Sequence, residues 1–505
     1  MSRIRSALFL AAIASCAFGC SGDDSDSDVD GVLPGVDAAG PGNPPDTGLP
    51  TGPPPSMFDG GTWGPMDAGG ATTDTGTATV PDAARPDSAV PTSDAGVMPG
   101  TDAGFMPPDP GGPVNMAPAK FGPNVRVNTT TRGQQTEVVM AAHPSGLVLA
   151  AWMDGSGRRC AFSVSKDGGA TWGPELGATT QASSGSAFAG DPAAAIDEKG
   201  NLFAVCQDYA SGGLGTNYVL LAHSKDQGAT WSGFKRVNQS LDKPWVGATG
   251  DGTVLLTWLG NPGGVKRSTD FGATWSTPTS LGYINHGTTM SISPSGPTHM
   301  AYNTGETTVT YRRSMDKGMT WEPARNLSPQ GQPCRSPCSP RSHPIVGAGA
   351  DPTGQVVAVT WASRLTHADA QGDDDVWVIV SYDAGKTFSM PKRVNDNMTA
   401  SRQFQSWAAV DSYGGVHVVW TDLRNGGNND TYYARMTDMA KGFEPNVKVN
   451  DGTGRPSSFL GDYKGIEIQG RDVLVIWTDS RANDGGDIYF ARAKDAAAAG
   501  GPLMR

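Results

Sequence analysis

One octapeptide, in which a strand gives way to a tight turn, occurs five times in this chain. The copies begin at Ser165, Ser224, Ser268, Ser314 and Ser381, and four of the five follow the pattern S-x-D-x-G-x-T-W. Two degraded copies begin at Met436 and Ala493, and successive copies are 44 to 67 residues apart. Such spacings suit one four-stranded blade per repeat, so the repeat predicts a modular architecture.

Apolar segments flank each octapeptide in a fixed order. A strand ending in Trp comes first, as in "VAVTWAS" from Val357 and "VHVVWTD" from Val416, and a second apolar strand follows after a polar loop. A short strand such as "PKRVN" comes after the octapeptide. β-Branched and apolar residues between Gly and Pro turns indicate strands, and no helical period competes with them. The sequence therefore predicts an all-β fold.

Each fixed position of the octapeptide has a structural role. Gly169 can adopt the positive φ of a tight turn, and Asp167 with the Ser and Thr hydroxyls can accept hydrogen bonds from the N–H groups of the turn. Trp172 can bury a large apolar face against the neighbouring blade. The octapeptide is therefore interpreted as scaffold and not as a catalytic motif.

The octapeptide resembles the Asp box of sialidases and other BNR-repeat β-propellers. Ser165, Asp167, Gly169, Thr171 and Trp172 match every fixed position of that motif, and the copies from 224, 268 and 314 also match in full. The fifth copy has Phe388 in place of Trp. The resemblance covers residues 119–496 and implies a β-propeller whose boxes lie on the face away from the ligand.

The two ends of the repeat region predict the number of blades. "NVRVN" at 124–128 looks like the fourth strand of a blade, but no three strands precede it. The last repeat, 459–494, has three strands and lacks a fourth. Pairing these segments closes the ring and removes both exposed edges. This count gives seven blades; six, as in catalytic sialidases, is the alternative and requires two repeats to merge.

Residues 1–118 read as export and tether segments. Residues 1–19 have Arg3 and Arg5 before a short apolar run, and Ala17 to Gly19 before Cys20 resembles a lipobox, which predicts a lipoprotein signal with Cys20 as the lipidated mature N-terminus. An ordinary secretory signal is the alternative. We expect an exported, membrane-anchored lipoprotein, facing the outer surface or the periplasm.

The net charge of −12 belongs to the tether and not to the folded part. Residues 21–118 contain 15 Asp, no Glu and one base, Arg85, whereas residues 119–505 contain 35 acids and 35 bases. A polar, proline-rich segment of this kind predicts a disordered linker over 20–118, with a C-terminal tail over 497–505. The absence of a basic patch excludes nucleic acid as an expected partner. The membrane is expected to be contacted through the lipid anchor only, and the protein to be a monomer.

Four cysteines lie in the repeat region, an even number that favours disulfides in an exported protein. Cys334 and Cys338 are separated by three residues, so a local bridge is expected there, and Cys160 with Cys206 is then left as the second pair. Metal binding by either pair is the weaker alternative, since no histidine sits beside them at ligand spacing.

Candidate ligand-binding residues follow the strands that end in Trp, on the face opposite the octapeptides. They are Arg364, Asp422, Arg424, Asp479 and Arg481. Arginines around a central channel would suit a carboxylated ligand, because guanidinium binds carboxylate through two parallel hydrogen bonds. The alternative is that each Asp–Arg pair clamps its own loop.

The resemblance to sialidases implies a retaining glycoside hydrolase with a tyrosine nucleophile, a glutamate beside it, an aspartate acid/base and three arginines that hold the substrate carboxylate. The F/Y-R-I-P motif that carries the first arginine in that family does not occur in this sequence. Tyr463 in "GDYKG" is the best candidate for the tyrosine, and Glu137 could enter the channel from the first blade.

The predicted function is recognition of a glycan or a surface protein at the channel mouth, because the scaffold motifs are intact and the catalytic motif is not. An exo-α-sialidase or related glycoside hydrolase with a diverged site is the alternative. No cofactor or metal site is expected, although Asp373 to Asp375 and Asn483 to Asp487 offer oxygen ligands that calcium could take.

Overall fold

The computed structural model describes residues 118–131, 133–179, 187–210, 217–240, 242–305, 308–327, 345–363, 374–457, 459–482, 485–494 and 496. The predicted signal, the Cys20 anchor, the linker and the tail lie outside these residues. The described residues form 27 strands and contain no helix, so no helix that could cross a membrane occurs among them.

Seven sheets form the seven blades of a propeller, as predicted, so the six-blade alternative is wrong. The chain opens with β1 (Val125–Arg126), which belongs to the last blade. Blade 1 contains β2 (Gln135–Ala142), β3 (Val148–Asp154), β4 (Arg159–Ser165) and β5 (Leu176–Thr179). Blade 2 contains β6 (Phe188–Ile196), β7 (Leu202–Tyr209), β8 (Asn217–Ser224) and β9 (Lys235–Ser240). Blade 3 contains β10 (Asp242–Ala248), β11 (Val254–Ser268) and β12 (Thr279–Ile284).

The remaining blades follow in chain order. Blade 4 contains β13 (Thr288–Ile292), β14 (Thr298–Asn303), β15 (Val309–Ser314) and β16 (Arg325–Asn326). Blade 5 contains β17 (Gly347–Ala350), β18 (Val357–Ser363), β19 (Asp375–Ser381) and β20 (Lys392–Arg393). Blade 6 contains β21 (Gln403–Val410), β22 (Val416–Asp422), β23 (Asp430–Met436) and β24 (Val447–Lys448). Blade 7 contains β25 (Gly465–Gln469), β26 (Asp472–Asp479) and β27 (Asp487–Ala493), and it is completed by β1.

Blade 3 uses one long strand for two positions. The first part of β11 pairs with β10 and the later part pairs with β12, so the 15-residue strand serves as both the second and the third strand of the blade. The first strands of the seven blades contact one another in cyclic order around the axis, and β25 contacts β2 to complete the ring.

The middle strands of each blade are apolar on both faces because each blade is packed between two others. In β18, "VAVTWAS", six of the seven side chains are buried, and all seven side chains of β19 are buried. Such strands read as continuous apolar runs and not as an alternating pattern. The core is therefore divided among the interfaces between neighbouring blades.

Ring closure occurs where the sequence predicts it. Val125 pairs with Phe490 and Arg126 with Tyr489, and the Val127 amide donates to the Ile488 carbonyl at 2.8 Å. Arg126 also forms a 2.7 Å ion pair with Asp487. The N-terminal strand therefore supplies the outer edge of blade 7 and covers the otherwise open edge of β27.

The octapeptide turns share one hydrogen-bond pattern. In the first copy the Gly169 amide donates to Ser165 Oγ at 2.9 Å, and the Thr171 amide donates to Asp167 Oδ1 at 2.9 Å. The Thr171 hydroxyl donates to Asp167 Oδ2 at 2.5 Å. The same bonds recur around Asp226, Asp270, Asp316 and Asp383. These turns connect the third and fourth strands on one face of the ring.

A disulfide joins Cys160 of β4 to Cys206 of β7, with a Cα–Cα distance of 6.2 Å. It connects blade 1 to blade 2, in agreement with the predicted pairing. Cys334 and Cys338 lie outside the described residues, so their predicted bridge stays a prediction.

Candidate functional site

The candidate site lies at the end of the central channel opposite the octapeptide turns. Each chain segment enters its first strand from that face, because a four-stranded antiparallel blade places its first-to-second and third-to-fourth turns on the same side. The residues that begin the first strands therefore surround the channel mouth. We call Glu137, Asp191, Tyr209, Asp242, Lys243, Gln405, Asp462 and Tyr463 the mouth cluster.

Four polar residues of the mouth cluster have a left-handed backbone. They are Glu137 (φ 57°), Asp191 (φ 44°), Lys243 (φ 44°) and Gln405 (φ 53°). Each sits at a shift of strand register in β2, β6, β10 or β21, and such a β-bulge re-aims a side chain out of the regular alternation. A left-handed non-glycine residue is strained by about 1–3 kcal/mol, and strain of this kind clusters at functional sites.

Asp191 is the centre of the hydrogen-bond network. Tyr463 donates its hydroxyl to Asp191 Oδ1 at 2.9 Å, and the Lys243 ammonium lies 3.5 Å from the same oxygen. The Tyr209 hydroxyl contacts Asp191 Oδ2 and also contacts Asp242 Oδ1. Residues from blades 2, 3 and 7 therefore meet at one carboxylate.

The Tyr209 hydroxyl contacts two carboxyl groups but has only one proton to donate. A phenol has one O–H donor, so it cannot donate to two ionised carboxylates at once. Burial and the nearby charge of Asp191 raise the pKa of Asp242 to about 7, which leaves that carboxyl largely protonated at lower pH and able to donate to the Tyr209 oxygen. Burial and the charges of Asp191 and Asp242 in turn raise the pKa of Tyr209 well above its ordinary value.

Lys243 places an ammonium group at the channel mouth. Its ammonium donates to Asp462 Oδ2 at 2.6 Å, and it lies 5.5 Å from the centre of the Tyr463 ring. Burial alone would lower the pKa of Lys243, but the charges of Asp462, Tyr463 and Asp191 raise it well above its ordinary value. The lysine is therefore positively charged at neutral pH.

Three aromatic rings lie together beside the charged groups. The Trp245 and Trp407 ring centres are 5.7 Å apart, and each lies 6.2 Å from the centre of Tyr463. Trp245 keeps part of its surface exposed, whereas Trp407 and Tyr463 are buried. An aromatic face beside a few convergent polar groups is a common composition of ligand sites.

The structure brings Tyr463 and Glu137, the two candidate catalytic residues, close together. Gly461, two residues before Tyr463, packs against Glu137 so closely that a Cβ at that glycine would lie 2.4 Å from the Glu137 amide nitrogen. Burial and the charges of Asp191 and Glu137 help to raise the pKa of Tyr463 well above its ordinary value. Their catalytic roles stay predictions.

The predicted arginines do not join the mouth cluster in the part of the chain that the structure describes. Asp422 accepts from the Trp420 indole at 2.8 Å and from the Arg424 guanidinium at 2.8 Å, and Asp479 makes the same bonds with Trp477 and Arg481. These contacts agree with the alternative prediction, in which each Asp–Arg pair holds its own loop in place.

Each clamp also ties two blades together at the outer rim. Arg424 pairs with Asp396 at 2.6 Å and donates to Asn446 Oδ1 at 2.9 Å. Arg481 pairs with Asp451 at 2.5 Å and donates to Asn124 Oδ1 at 2.7 Å. We call these two sets the rim clasps. Their contacts give no support to the predicted role of Asp422, Arg424, Asp479 and Arg481 in ligand binding, and Arg364 lies outside the described residues.

Three of the carboxylates proposed for calcium, Asp374, Asp375 and Asp487, have protein partners, and Asp373, Asn483 and Asp484 lie outside the described residues. Arg402 lies 3.4 Å from Asp374, Arg393 pairs with Asp375 at 2.7 Å, and Asp487 pairs with Arg126. Asn395 and Asn128 donate to Asp375 and Asp487 as well. Among the described residues no group of three His, Cys, Asp or Glu is arranged to hold a metal ion.

Sequence reasoning missed Asp191 and Tyr209. The segment "FAGDPAAAI" reads as an apolar strand, and Tyr209 ends another. The one local signal is proline, which follows both Asp191 and Lys243. Because proline has no N–H to donate to a ladder, it marks an interruption near the start of a first strand.

Comparison with known proteins gives likeness of fold. No family model and no curated protein matches the chain. It is similar to a solved structure of unknown function from Dyadobacter fermentans (14% identity, 62% of this chain, 98% of that chain, TM-score 0.43). It is also similar to a Hadza microbial sialidase (17% identity, 72% of this chain, 66% of that chain, TM-score 0.41). A third similar structure is an α-L-arabinanase of Penicillium chrysogenum complexed with arabinobiose (13% identity, 60% of this chain, 92% of that chain, TM-score 0.39). We transfer no functional residue from these structures.

Proposed function

We propose that the channel mouth binds a glycan, and that the protein is an exported, lipid-anchored recognition module. The observation that carries the proposal is the convergence of four strained polar residues, Glu137, Asp191, Lys243 and Gln405, on one end of the channel. A left-handed glycine, such as Gly287 or Gly461 at the starts of two other blades, would meet the same backbone need without strain. Polar side chains at strained positions favour a binding role over a purely structural one.

The composition of the mouth supports a sugar ligand. Charged groups and an amide can exchange hydrogen bonds with hydroxyls, and the partly exposed Trp245 offers an apolar face for a sugar ring. In this proposal a tether between the anchor and residue 119 presents the propeller away from the membrane.

A glycan array tests the proposal directly. The mature chain carrying Cys20→Ser, which prevents lipidation, would be applied to neutral, acidic and amino-sugar oligosaccharides, and each positive would be titrated by calorimetry. We expect a defined subset to bind. Lys243→Met should change that binding by about tenfold or more, because it removes the ammonium that meets Asp191 and Asp462 at the mouth.

Lys441→Met is the matched control, since Lys441 is an exposed surface lysine paired with Asp438 at 3.6 Å. It should bind as the parent does, and the thermal melt of each variant reports whether it folds. Absence of any glycan bound by the folded parent, or equal loss in both variants, would contradict the proposal.

A glycoside hydrolase is the second candidate, and the Tyr209 bridge favours it. Asp191 and Asp242 meet the same phenol, and the raised pKa of Asp242, about 7, suits a general acid beside a second carboxyl group. The sialidase form of this candidate is weaker, since burial and the charge of Asp191 oppose ionisation of Tyr463.

Fluorogenic glycosides separate the two candidates. If the protein is a hydrolase of this kind, one aryl glycoside of a panel that includes a sialoside, an arabinoside and a glucosaminide should be turned over. That turnover should decline above about pH 7, as Asp242 loses its proton, and Asp242→Asn should abolish it. Turnover of the sialoside alone, abolished by Tyr463→Phe, would instead establish the tyrosine mechanism. Enzyme-level turnover of any panel member would overturn the binding-only proposal.

A further inference from the structure

Three buried polar side chains around the mouth cluster have no hydrogen-bond partner among the described residues. Thr136 Oγ1 precedes Glu137, Ser406 Oγ follows Gln405, and the Gln207 amide has neither its nitrogen nor its oxygen bonded. Thr136 and Gln207 are 0% exposed and Ser406 is 1% exposed. A buried polar group left unpaired costs about 1–3 kcal/mol, so these groups indicate a place for water or for a ligand that offers hydroxyls.

Gln207 lies two residues before Tyr209 on β7. It is opposite Gly190, the neighbour of Asp191, in the pairing of β6 with β7. Side chains two apart on a strand share a face, so Gln207 and Tyr209 both lie on the side of blade 2 away from Cys206. Cys206 faces blade 1 through its disulfide, and Tyr209 reaches Asp242 of blade 3. The unbonded amide is therefore directed toward the interface that carries Asp191 and Asp242.

The described charges at the mouth are mainly negative. Glu137, Asp191, Asp242 and Asp462 are carboxyl groups, and Lys243 is the ammonium among them. Lys243 is matched most closely by Asp462, at 2.6 Å. Lys243 also lies 3.5 Å from Asp191, so one ammonium faces four carboxyl groups, an arrangement that a further cation would stabilise and an anion would not.

The aromatic rings also favour a positively charged ligand. A cation is attracted to the face of an aromatic ring, by about 0.5–2 kcal/mol depending on its exposure. Lys243 already uses the Tyr463 ring in this way, and Trp245 presents a partly exposed ring beside it. A carboxylated sugar such as sialic acid lacks these attractions and would face the two aspartates.

We propose that the ligand of the channel mouth is an amino sugar, a glycan whose ring carries a free ammonium, held against the carboxyl groups of Asp191 and Asp242 beside the Tyr209 hydroxyl that bridges them, with its hydroxyls near Gln207 and Ser406. This inference rests on the proposed function, and it adds the chemical class of the glycan. The ammonium adds a second positive charge to a mouth in which Lys243 faces four carboxyl groups, and the sugar hydroxyls supply partners for the buried polar groups.

The test compares three sugars that differ in charge. The mature Cys20→Ser chain would be titrated at pH 6 with the β-1,4-linked glucosamine tetramer, with its fully N-acetylated form and with sialyllactose. We expect the glucosamine tetramer to bind at least about tenfold more tightly than the N-acetylated form, and sialyllactose not to bind. Added NaCl should weaken the glucosamine complex, although the partly buried site limits that screening.

Two variants locate the binding at the mouth. Asp191→Asn and Asp242→Asn each remove one carboxyl group while keeping the side-chain shape, and at least one of the two should fold with a parent-like melt. Asp191→Asn, if folded, should bind the glucosamine tetramer about tenfold more weakly or worse, and Asp242→Asn should lose less affinity, because the Asp242 carboxyl is already largely protonated at pH 6. Asp438→Asn, which makes the same change at an exposed position, should bind as the parent does.

The outcomes separate this inference from the proposed function. Equal affinity for the two tetramers would overturn the amino-sugar class while leaving a glycan site. Tighter binding of sialyllactose would overturn it as well, in favour of an anionic ligand. Failure of all three sugars would overturn the class, and the glycan array would then decide whether glycan binding itself fails. Unchanged binding in both folded mouth variants would show that the sugar binds elsewhere.

Discussion

Asp191 receives groups that the chain places far apart. Tyr463 is 272 residues away in sequence, and Tyr209 and Lys243 come from the second strand of its own blade and the first strand of the next. The left-handed conformation of Asp191 aims its carboxylate out of the regular alternation of β6. A single residue thus determines where the hydroxyls and the ammonium meet.

Stability should fall as pH rises through the titration of Asp242. Its folded-state pKa of about 7 lies above the ordinary 3.8, so the folded protein holds a proton that the unfolded chain releases. The stabilising contribution of that proton is complete below about pH 4 and is lost as the pH rises through 7. We expect Asp242→Asn to raise the melting temperature relative to the parent more at pH 8 than at pH 5.

Burial also raises the pKa of Glu467, to about 8, so its titration lowers stability over a similar pH range. The parent and Asp242→Asn both contain Glu467, so its effect on the melting temperature cancels when the two are compared. Melting curves of the parent and of Asp242→Asn at the two pH values make the measurement. An equal difference in melting temperature at pH 5 and pH 8 would show that Asp242 has no raised pKa in the folded protein.

At the scale of the element, the octapeptide turn is self-contained. Ser165 and Asp167 satisfy the turn amides within seven residues, so each copy can form without help from the rest of the ring. The contact of Trp172 with Phe490, at 5.6 Å between ring centres, then joins the turn of blade 1 to blade 7. Local hydrogen bonds and one interblade contact explain the whole motif.

Short outer strands depend on a second repeated element that sequence analysis did not interpret. In "VRVN", "KRVN" and "VKVN", the final residues Asn128, Asn395 and Asn450 donate to the aspartate that begins the third strand of the same blade. Each asparagine also accepts from the backbone amide one residue after that aspartate. Two ladder residues are therefore enough to hold these strands, because side chains replace the missing backbone pairs.

Two glycine substitutions separate backbone strain from crowding. Gly169 has φ +86°, and a Cβ there would lie 2.2 Å from the Phe490 ring, whereas Gly233 has φ +76° and nothing within 4 Å of its Cβ position. Gly233→Ala should lower the free energy of unfolding by about 1–2 kcal/mol through backbone strain alone. Gly169→Ala should lower it by a further ~1–3 kcal/mol, because Phe490 must move.

Urea denaturation of the two variants measures this difference. Losses of equal size would mean that the Phe490 ring moves away without penalty, and that the turn is not tightly packed against blade 7.

At the scale of the whole molecule, the ring depends on its closure. β1 has two residues in its ladder, but the rim clasp at Arg481 adds Asn124, Asp451 and Asp479 to the junction of blades 6 and 7. The disulfide connects blades 1 and 2. The disulfide and the ion pairs of the rim clasp therefore add to the apolar interfaces near the junction at which β1 closes the ring.

Arg481→Ala should weaken the closure. Its guanidinium bonds three partners and its side chain is 18% exposed, so its removal leaves the buried Asp479 without a charged partner, at a cost of about 1–3 kcal/mol in the free energy of unfolding. Lys441→Ala, at an exposed ion pair, should change stability by less than about 0.5 kcal/mol. Thermal melts of the two variants measure the difference. A loss of stability in Arg481→Ala no larger than that in Lys441→Ala would mean that the β1 ladder alone closes the ring.

The sequence by itself determined the blades, their number, the closing strand and the Cys160–Cys206 pair. Each of these follows from contiguous segments: an octapeptide whose hydrogen bonds are internal, apolar runs with the length of a strand, and a fourth strand separated from its blade. Tyr463 and Glu137 also come from segments that enter first strands on the face opposite the octapeptides, and their catalytic roles stay predictions. The physical reason is that such features depend on neighbours in the chain.

Only the tertiary structure decided which side chains meet at the mouth. The contact of Lys243 with Asp462 spans 219 residues, and the bulges that aim Asp191 and Lys243 are shifts of register that an apolar pattern does not encode. The arginines after Trp420 and Trp477 have the sequence of a binding loop, yet the neighbouring outer strands supply them with Asp396 and Asp451. Convergence around an axis depends on how seven blades rotate against one another, and no local segment contains that information.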